Sequence, residues 1–167
     1  MIILDGKETA KNLLDTLKAE VEALAIRPSL AIILVGNDPA SEIYVKNKIK
    51  TAQKLGIIAT RYQLTADTTE KALEKLIKKL NKDKETHGIL LQLPLPKHLN
   101  SEKMIDLIDY QKDVDGFHTV NQGLLFQKRN GTRPATPLGV MMLLKAYHIN
   151  PEGKHVVVIG RSQIVGA

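Results

Sequence analysis

The stretch Leu30-Ala-Ile-Ile-Leu-Val35 decides the fold class of this chain. It is an unbroken apolar run, bounded by Pro28-Ser29 before it and by Gly36-Asn37 after it. A strand that is apolar on both faces is typical of a parallel sheet covered by helices on both sides. The run therefore predicts a strand buried inside a mainly parallel α/β sheet.

Helical periodicity lies on both sides of this strand. A first helix is predicted from Thr9, and Pro28 prevents it from continuing. A second is predicted from Ser41, as its N-cap, to Leu55, where Gly56 ends it. Later helices are predicted to begin at Thr68 or Thr69, at Ser101, near Gly123 and at Pro137 as a first helical residue. The other predicted strands are Ile2–Leu4, Ile57–Leu64, Gly88–Leu93 and His155–Ile159.

The alternation of strands and helices favours an α/β fold with a mainly parallel sheet. The least regular stretch is residues 121–137, which is the best candidate for a boundary between two lobes. We therefore expect one domain over residues 1–136 and the start of a second over residues 137–167.

Composition excludes several functional classes. The chain of 167 residues has 24 basic and 18 acidic side chains, for a net charge of +6, but few aromatic residues, which disfavours a nucleic-acid partner. With no cysteine there are no disulfides, and the scattered histidines predict no metal site. No apolar run approaches the roughly 20 residues of a membrane helix, and the first residues do not resemble a leader. A cytoplasmic protein is expected.

Three polar side chains of the second predicted helix stand out. Ser41, Tyr44 and Lys48 share one stripe of that helix and follow the end of a buried strand, where open α/β sheets bind ligands. The ordinary alternative is an exposed Tyr–Lys pair beside a capping serine, and spacing alone favours that alternative.

Gln92 is unexpected because it lies in an otherwise apolar predicted strand. A buried amide without partners costs about 1–3 kcal/mol. It either bonds loop backbone, or faces a cleft and bonds a ligand or Lys48. Pro94 and Pro96 would hold it rigidly.

Two further segments carry weaker signals. Asp113 and Asp115 place two carboxylates in one loop, which lacks the regularly spaced oxygen ligands of a cation site. Residues 156–166 form a predicted strand followed by a glycine turn, an arrangement that binds phosphate, although Ser162 replaces the second glycine of the usual dinucleotide motif. Arg161 could pair with a phosphate and favour NADP over NAD.

Five segments in register resemble the bifunctional methylenetetrahydrofolate dehydrogenase/methenyltetrahydrofolate cyclohydrolase family over the whole chain. They are Ser41-Glu-Ile-Tyr-Val-Lys-Asn-Lys48, Gly88-Ile-Leu-Leu-Gln-Leu-Pro-Leu-Pro96, Lys112-Asp-Val-Asp-Gly116, Pro134-Ala-Thr-Pro137 and Gly160-Arg-Ser-Gln-Ile-Val-Gly166. Any one of these motifs is weak, but five in order make a chance match very improbable.

The resemblance implies a folate-binding lobe followed by the first strand of a Rossmann-like NADP domain. Tyr44 then lines the folate cleft, Lys48 is the catalytic amine of the cyclohydrolase step, and Gln92 positions or tunes that amine. Asp115 holds the pterin ring, and Asp113 supports its loop. The implied catalytic residues are Lys48, Tyr44, Gln92 and Asp115. The implied substrate-binding residues are Ser41, Tyr44, Lys48, Leu91, Gln92, Leu93, Asp113 and Asp115. The implied NADP contacts are Thr136, Gly160, Arg161 and Ser162.

The chain departs from the family pattern at Ala135, where cysteine is usual, and at Ala167, where a basic residue is usual. The family's cofactor domain is longer, so we expect a chain truncated inside it, from a parent that is a homodimer. Two alternatives remain: a folate-binding fragment without dehydrogenase turnover, and a domain like an amino-acid dehydrogenase that uses its Tyr–Lys pair in another reaction. The Gln92 and Asp115 segments argue against the last.

Overall fold

The computed structural model describes residues 3–162 and has the predicted α/β architecture. The strands are β1 (Ser29–Val35), β2 (Ile58–Leu64) and β3 (Gly88–Leu91). The helices are α1 (Gly6–Glu22), α2 (Pro39–Lys54), α3 (Glu70–Lys82), α4 (Ser101–Asp106), α5 (Thr119–Phe126) and α6 (Ala135–Ala146). No helix in this described range is long and apolar enough to cross a membrane.

The three strands form one parallel sheet in the order β2-β1-β3. The opening apolar run is the central strand, paired from Ser29 with Ile58 on one side and from Leu30 with Gly88 on the other. Beyond β3 the chain adds an isolated parallel bridge between Ile89 and Asp113. This bridge brings the predicted two-carboxylate loop beside the sheet.

Alternate residues of β1 pack into two separate apolar layers. Ile33 faces the layer that contains α3 and α4, and Ile32 faces the layer that contains Val45 of α2. Both isoleucines are fully buried. The period-two alternation of a strand produces this division, and helices on both faces explain why the whole run is apolar.

Helix starts follow local capping chemistry, with two corrections to the sequence expectations. Thr69 caps α3 as predicted, through a hydrogen bond from the Ala72 amide to its hydroxyl. Asp38, not Ser41, caps α2, because its carboxylate reaches the Ser41 amide at 2.8 Å. The last helix, α6, begins at Ala135, so Pro137 is its third residue rather than its first.

Two predicted strands are wrong over their described residues. Ile3 and Leu4 are not in a strand, and Ile2 lies outside the described residues. Residues 155–159 are also not in a strand, and Ile159 is 98% exposed. A strand needs a neighbour for its amides and carbonyls, and no strand within residues 3–162 pairs with this run. The third strand, β3, is shorter than predicted and ends at Leu91, so Gln92 lies just beyond it.

Candidate functional site

The candidate site lies at the carboxyl ends of β1 and β3, where parallel sheets commonly bind ligands. From the end of β1, Gly36 turns the chain in a left-handed conformation (φ 86°) toward α2, which carries Lys48. The first residue after β3 is Gln92. The sheet therefore places an amine and an amide at the same edge.

Lys48 and Gln92 are in direct contact. The Lys48 Nζ donates to Gln92 Oε1 at 3.1 Å, and the Gln92 Nε2 donates to the Leu93 carbonyl at 2.7 Å. The second bond fixes the amide orientation, because only the Nε2 group can donate to a carbonyl. Both alternatives considered for Gln92 thus occur together: it bonds loop backbone and it bonds Lys48.

The three residues of the predicted stripe on α2 differ in how far they are exposed to solvent. Tyr44 is exposed, Lys48 is half-buried, and Ser41 is 2% exposed. Hydrogen bonds from the Ser41 amide and hydroxyl hold the pKa of the Asp38 carboxyl below its usual range. Ser41 therefore belongs to the structure that begins the helix, while Tyr44 and Lys48 present surface to the site.

The two leucines beside Gln92 differ in environment. Leu91 is 4% exposed and packs in the layer between the sheet and α3. Leu93 is half-buried and lines a groove of about 380 Å³ with Phe117. Leu93 is thus the one of the pair that lines an open groove, and Lys48, Gln92 and Asp115 are not among the residues that line it.

Asp113 organises the second loop of the site. It is 3% exposed, and its carboxylate accepts hydrogen bonds from the amides of Asp115, Gly116 and His118, at 3.2, 3.1 and 2.9 Å. The side chain of Asn121 adds a fourth donor at 2.9 Å. A buried carboxylate is stable only with such donors. Asp113 is therefore a structural anchor for the loop.

Asp115 is the carboxyl that the loop presents to Lys48. Burial raises the pKa of this carboxyl above its ordinary value, the positive charge of Lys48 partly opposes the rise, and the negative charge of Asp113 adds to it. No direct hydrogen bond between Asp115 and Lys48 occurs among the described residues. The two groups therefore interact through their charges.

Gly116 allows the loop to pack against the start of the last helix. Its φ is 70°, and a Cβ placed on it would come within 2.7 Å of the Arg133 carbonyl carbon. Only glycine combines this backbone conformation with so close an approach. The Asp115 loop is therefore in backbone contact with the segment that enters α6.

Lys112 anchors the same loop from its other end. Its Nζ donates to the carbonyls of Leu80, Asn81 and Asp83, at 3.1, 2.9 and 2.7 Å. These carbonyls belong to the end of α3, where helices leave acceptors unpaired and favour a positive charge. The lysine therefore uses all three of its protons to tie the loop to α3.

The predicted cofactor residues lie apart from this cluster in the chain. Thr136 is exposed in the first turn of α6, and Gly160, Arg161 and Ser162 are exposed in a segment without helix or strand. A hydroxyl, a glycine and a guanidinium are a donor set that suits a phosphate. Residues 163–167, the rest of the predicted glycine turn, lie outside the described residues. Over residues 3–162, no His, Cys, Asp or Glu cluster could hold a metal ion.

Sequence reasoning missed the anchors of the loop. The sequence predicts a helix only near Gly123, whereas α5 begins at Thr119, so it does not mark Asn121, and it indicates Lys112 only as a member of the Lys112–Gly116 motif. Its place immediately before Asp113 was the one signal that could have identified it.

Comparison with known proteins gives consistent relatives. The family model for the tetrahydrofolate dehydrogenase/cyclohydrolase catalytic domain matches residues 4–115, and the model for the NAD(P)-binding domain of the same family matches residues 134–167. The Bifunctional protein FolD of Acholeplasma laidlawii is 60% identical over 166 residues, which are 99% of this chain and 60% of that protein. This chain therefore spans about 60% of the length of such relatives.

Solved structures agree with the sequence comparison. A bifunctional FolD methylenetetrahydrofolate dehydrogenase/cyclohydrolase from Campylobacter jejuni has a TM-score of 0.97 and 46% identity, over 99% of this chain and 60% of that one. The Trypanosoma brucei methylenetetrahydrofolate dehydrogenase-cyclohydrolase, solved with NADP cofactor and an inhibitor, has a TM-score of 0.92 and 35% identity, over 99% of this chain and 58% of that one.

The family-model matches leave residues 116–133 between them, and the domain boundary after residue 136 stays a prediction. With its catalytic-domain match covering most of its length, this chain belongs to the tetrahydrofolate dehydrogenase/cyclohydrolase family.

Proposed function

We propose that this chain carries the folate site of a bifunctional enzyme of one-carbon metabolism. The enzyme interconverts 5,10-methylene- and 5,10-methenyl-tetrahydrofolate with NADP and hydrolyses the methenyl form to 10-formyl-tetrahydrofolate. The observation that carries the proposal is the Lys48–Gln92 hydrogen bond at the sheet edge, with the Asp115 carboxyl near the same amine. Membership of the family supports this chemistry for the site.

The hydrolytic step needs a group that accepts a proton. Water adds to the methenyl carbon and passes one proton to a base, which leaves a hydroxyl group on that carbon. The hydroxyl then gives up its proton to form the formyl C=O bond, while the bond from the carbon to N5 breaks and N5 takes up a proton. The amine of Lys48, which lies at the candidate site, suits this role. Gln92 holds the amine at 3.1 Å, so its direction is set before the substrate arrives.

Asp115 suits the recognition of the pterin ring. A pterin presents an amide N–H and an amino group side by side, and a carboxylate accepts from both at once. Because burial raises the pKa of Asp115, the unpaired carboxylate is disfavoured without such donors. Tyr44, exposed one turn before Lys48, then offers its ring to the aminobenzoate part of the substrate.

The dehydrogenase step uses NADP as hydride acceptor. Within this chain, Arg161 and Ser162 would contact phosphate groups, and Thr136 would lie near the cofactor. The protein's contribution to hydride transfer is orientation of the two rings. The NADP-bound relative and the match to an NAD(P)-binding domain support this assignment. The homodimer and the cytoplasmic location stay predictions.

The test compares Lys48→Met with Lys50→Met, an exposed lysine on the same helix. Binding is followed by titration with a folate analogue, and hydrolysis by the disappearance of methenyl-tetrahydrofolate. We expect Lys48→Met to lower kcat by about 10²–10⁴-fold, the usual contribution of a positioned base, and Lys50→Met to change it little. Hydrolysis that survives in Lys48→Met would remove the lysine from the mechanism.

The same titration decides whether the folate assignment is right. A wild-type chain that does not bind the analogue would contradict it. Binding without NADPH formation from methylene-tetrahydrofolate would instead restrict this chain to a folate-binding role.

A further inference from the structure

We infer that Asn121 is a positioning residue for Asp115, acting through the buried carboxylate of Asp113. This inference rests on the proposed function, because it assigns Asp115 to substrate binding. Asn121 does not touch the expected substrate position. Its influence passes through hydrogen bonds that fix the loop.

The Asn121 amide joins two separate parts of the loop. Its Nδ2 donates to the Tyr110 carbonyl at 2.8 Å and to Asp113 Oδ2 at 2.9 Å. Both protons of one nitrogen are therefore used, and the side chain is 2% exposed. A serine or threonine has one proton to donate and cannot make both bonds. An aspartate would place a second carboxylate against Asp113.

Asp113 transmits this constraint to Asp115. While Asn121 and the His118 amide occupy Oδ2, Oδ1 is directed at the amides of Asp115 and Gly116. Without Asn121, that carboxylate has one donor fewer and less resistance to rotation. The Asp115 backbone would then lose its fixed position, and with it the direction of its carboxyl group.

The first turn of α5 holds Asn121 firmly enough for this role. The Thr119 amide donates to the Asp106 carboxylate of α4 at 3.0 Å, and the Val120 amide donates to the His118 ring at 3.0 Å. Gly131 packs on the other side, where a Cβ would lie 3.3 Å from Asn121 Oδ1. The asparagine is thus fixed by its helix, by α4 and by its packing.

The experiment replaces the amide by an apolar group of similar size, Asn121→Leu. Asn81→Leu is the matched control, because Asn81 also bonds backbone twice, to the Leu107 carbonyl at 2.7 Å and from the Asp109 amide at 2.9 Å, without touching Asp113. Three quantities are measured: the thermal midpoint, amide hydrogen exchange at Asp115 and Gly116, and KM and kcat for methenyl-tetrahydrofolate, with the Kd of a folate analogue.

We expect Asn121→Leu to speed exchange at both amides and to raise Kd and KM by about tenfold, the factor that one lost hydrogen bond produces. Since Asp115 binds the pterin equally before and during reaction, kcat should fall much less than KM rises. Asn81→Leu should lower the thermal midpoint but leave Kd within about twofold. Asn121→Ser, which keeps one donor, should give a smaller change of Kd and KM in the same direction. It takes the place of Asn121→Leu in the same measurements if the leucine variant does not fold.

The outcomes separate this inference from the proposed function. A wild-type chain that does not bind the analogue overturns the proposed function. If the wild type binds, but the Asn121 variants bind as tightly as the Asn81 control, the positioning role is wrong. Faster exchange without weaker binding also contradicts it, because the loop would then be ordered by Asn121 for stability alone.

Discussion

Residues 30–35 of the central strand β1 and residues 156–159 are both runs of aliphatic side chains, yet the first run lies inside the sheet and the second is exposed. Five successive residues of β1 are buried, with strands on both sides and apolar layers above and below. Residues 156–159 are exposed, between 59% and 98%, and are not in a strand. A β-type sequence is therefore insufficient: neighbours that pair the backbone and cover the side chains decide the outcome.

The polar groups show the same contrast. Around the sheet, the charges of Asp113 and Lys112 are bound by several backbone groups each. In the part of the chain from α6 to residue 162, by contrast, α6 has no fully buried residue, and Thr136 and Arg161 are exposed. The candidate site around Lys48, Gln92 and Asp113 is thus held by hydrogen bonds, whereas Thr136 and Arg161 lie on exposed parts of the chain.

The largest effect is expected on the free energy of unfolding, when a buried isoleucine is compared with an exposed one. Ile33→Ala removes a fully buried side chain from β1, whereas Ile159→Ala removes one that is 98% exposed. We expect Ile33→Ala to lower the free energy of unfolding by about 2–5 kcal/mol and Ile159→Ala to change it by less than about 0.5 kcal/mol. Urea denaturation measures both. Similar losses in the two variants would break the comparison and show that residues 155–159 are packed in solution.

A smaller effect should follow the loss of a loop anchor. Lys112→Met leaves three carbonyls at the end of α3 without the lysine, and we expect a loss of about 2 kcal/mol. Lys82→Met is the control, because Lys82 is exposed in the last turn of the same helix. Equal thermal midpoints for the two variants would show that solvent replaces the ammonium without cost.

The smallest effect concerns the pH dependence of stability. Since burial raises the pKa of Asp115 above its ordinary value of 3.8, the folded state binds this proton more tightly than the unfolded state. Stability from this group is therefore present below that value and is lost as pH rises through the folded-state pKa. Asp115→Asn removes the charge, so its thermal midpoint should rise relative to that of the wild type as the pH increases above 3.8. A constant difference would contradict the raised pKa.

Much of the fold could be predicted, because its signals are local. The apolar run at Leu30–Val35 predicted the central strand, and Thr69 predicted the start of α3. The cap of α2 is a local exception, because Asp38 takes this role only three residues before Ser41, with Pro39 following it in the first turn. The other errors arose where the partner was not local. The run at residues 155–159 has strand propensity, but propensity carries no information about pairing.

Only those residues of the candidate site that belong to recognisable sequence motifs could be predicted. Lys48, Gln92, Asp113 and Asp115 were named from sequence, and the structure places them at one edge of the sheet. Their ligand-binding roles are proposals, which the experiments above test. Asn121 reaches Asp113, eight residues earlier in the chain, and Lys112 reaches carbonyls that lie 29 to 32 residues earlier. No periodicity reveals such contacts.

The strand order β2-β1-β3 has a consequence for how the chain acquires its structure. The central strand is made first, and both of its neighbours come later in the sequence, so β1 leaves the ribosome without either partner. Until residue 91 has emerged, one edge of a strongly apolar strand stays open. Non-local parallel pairing is slow to form, and an unpaired apolar edge favours aggregation. Synthesis of this protein therefore includes an interval in which a chaperone that binds extended apolar segments would find β1 as its target.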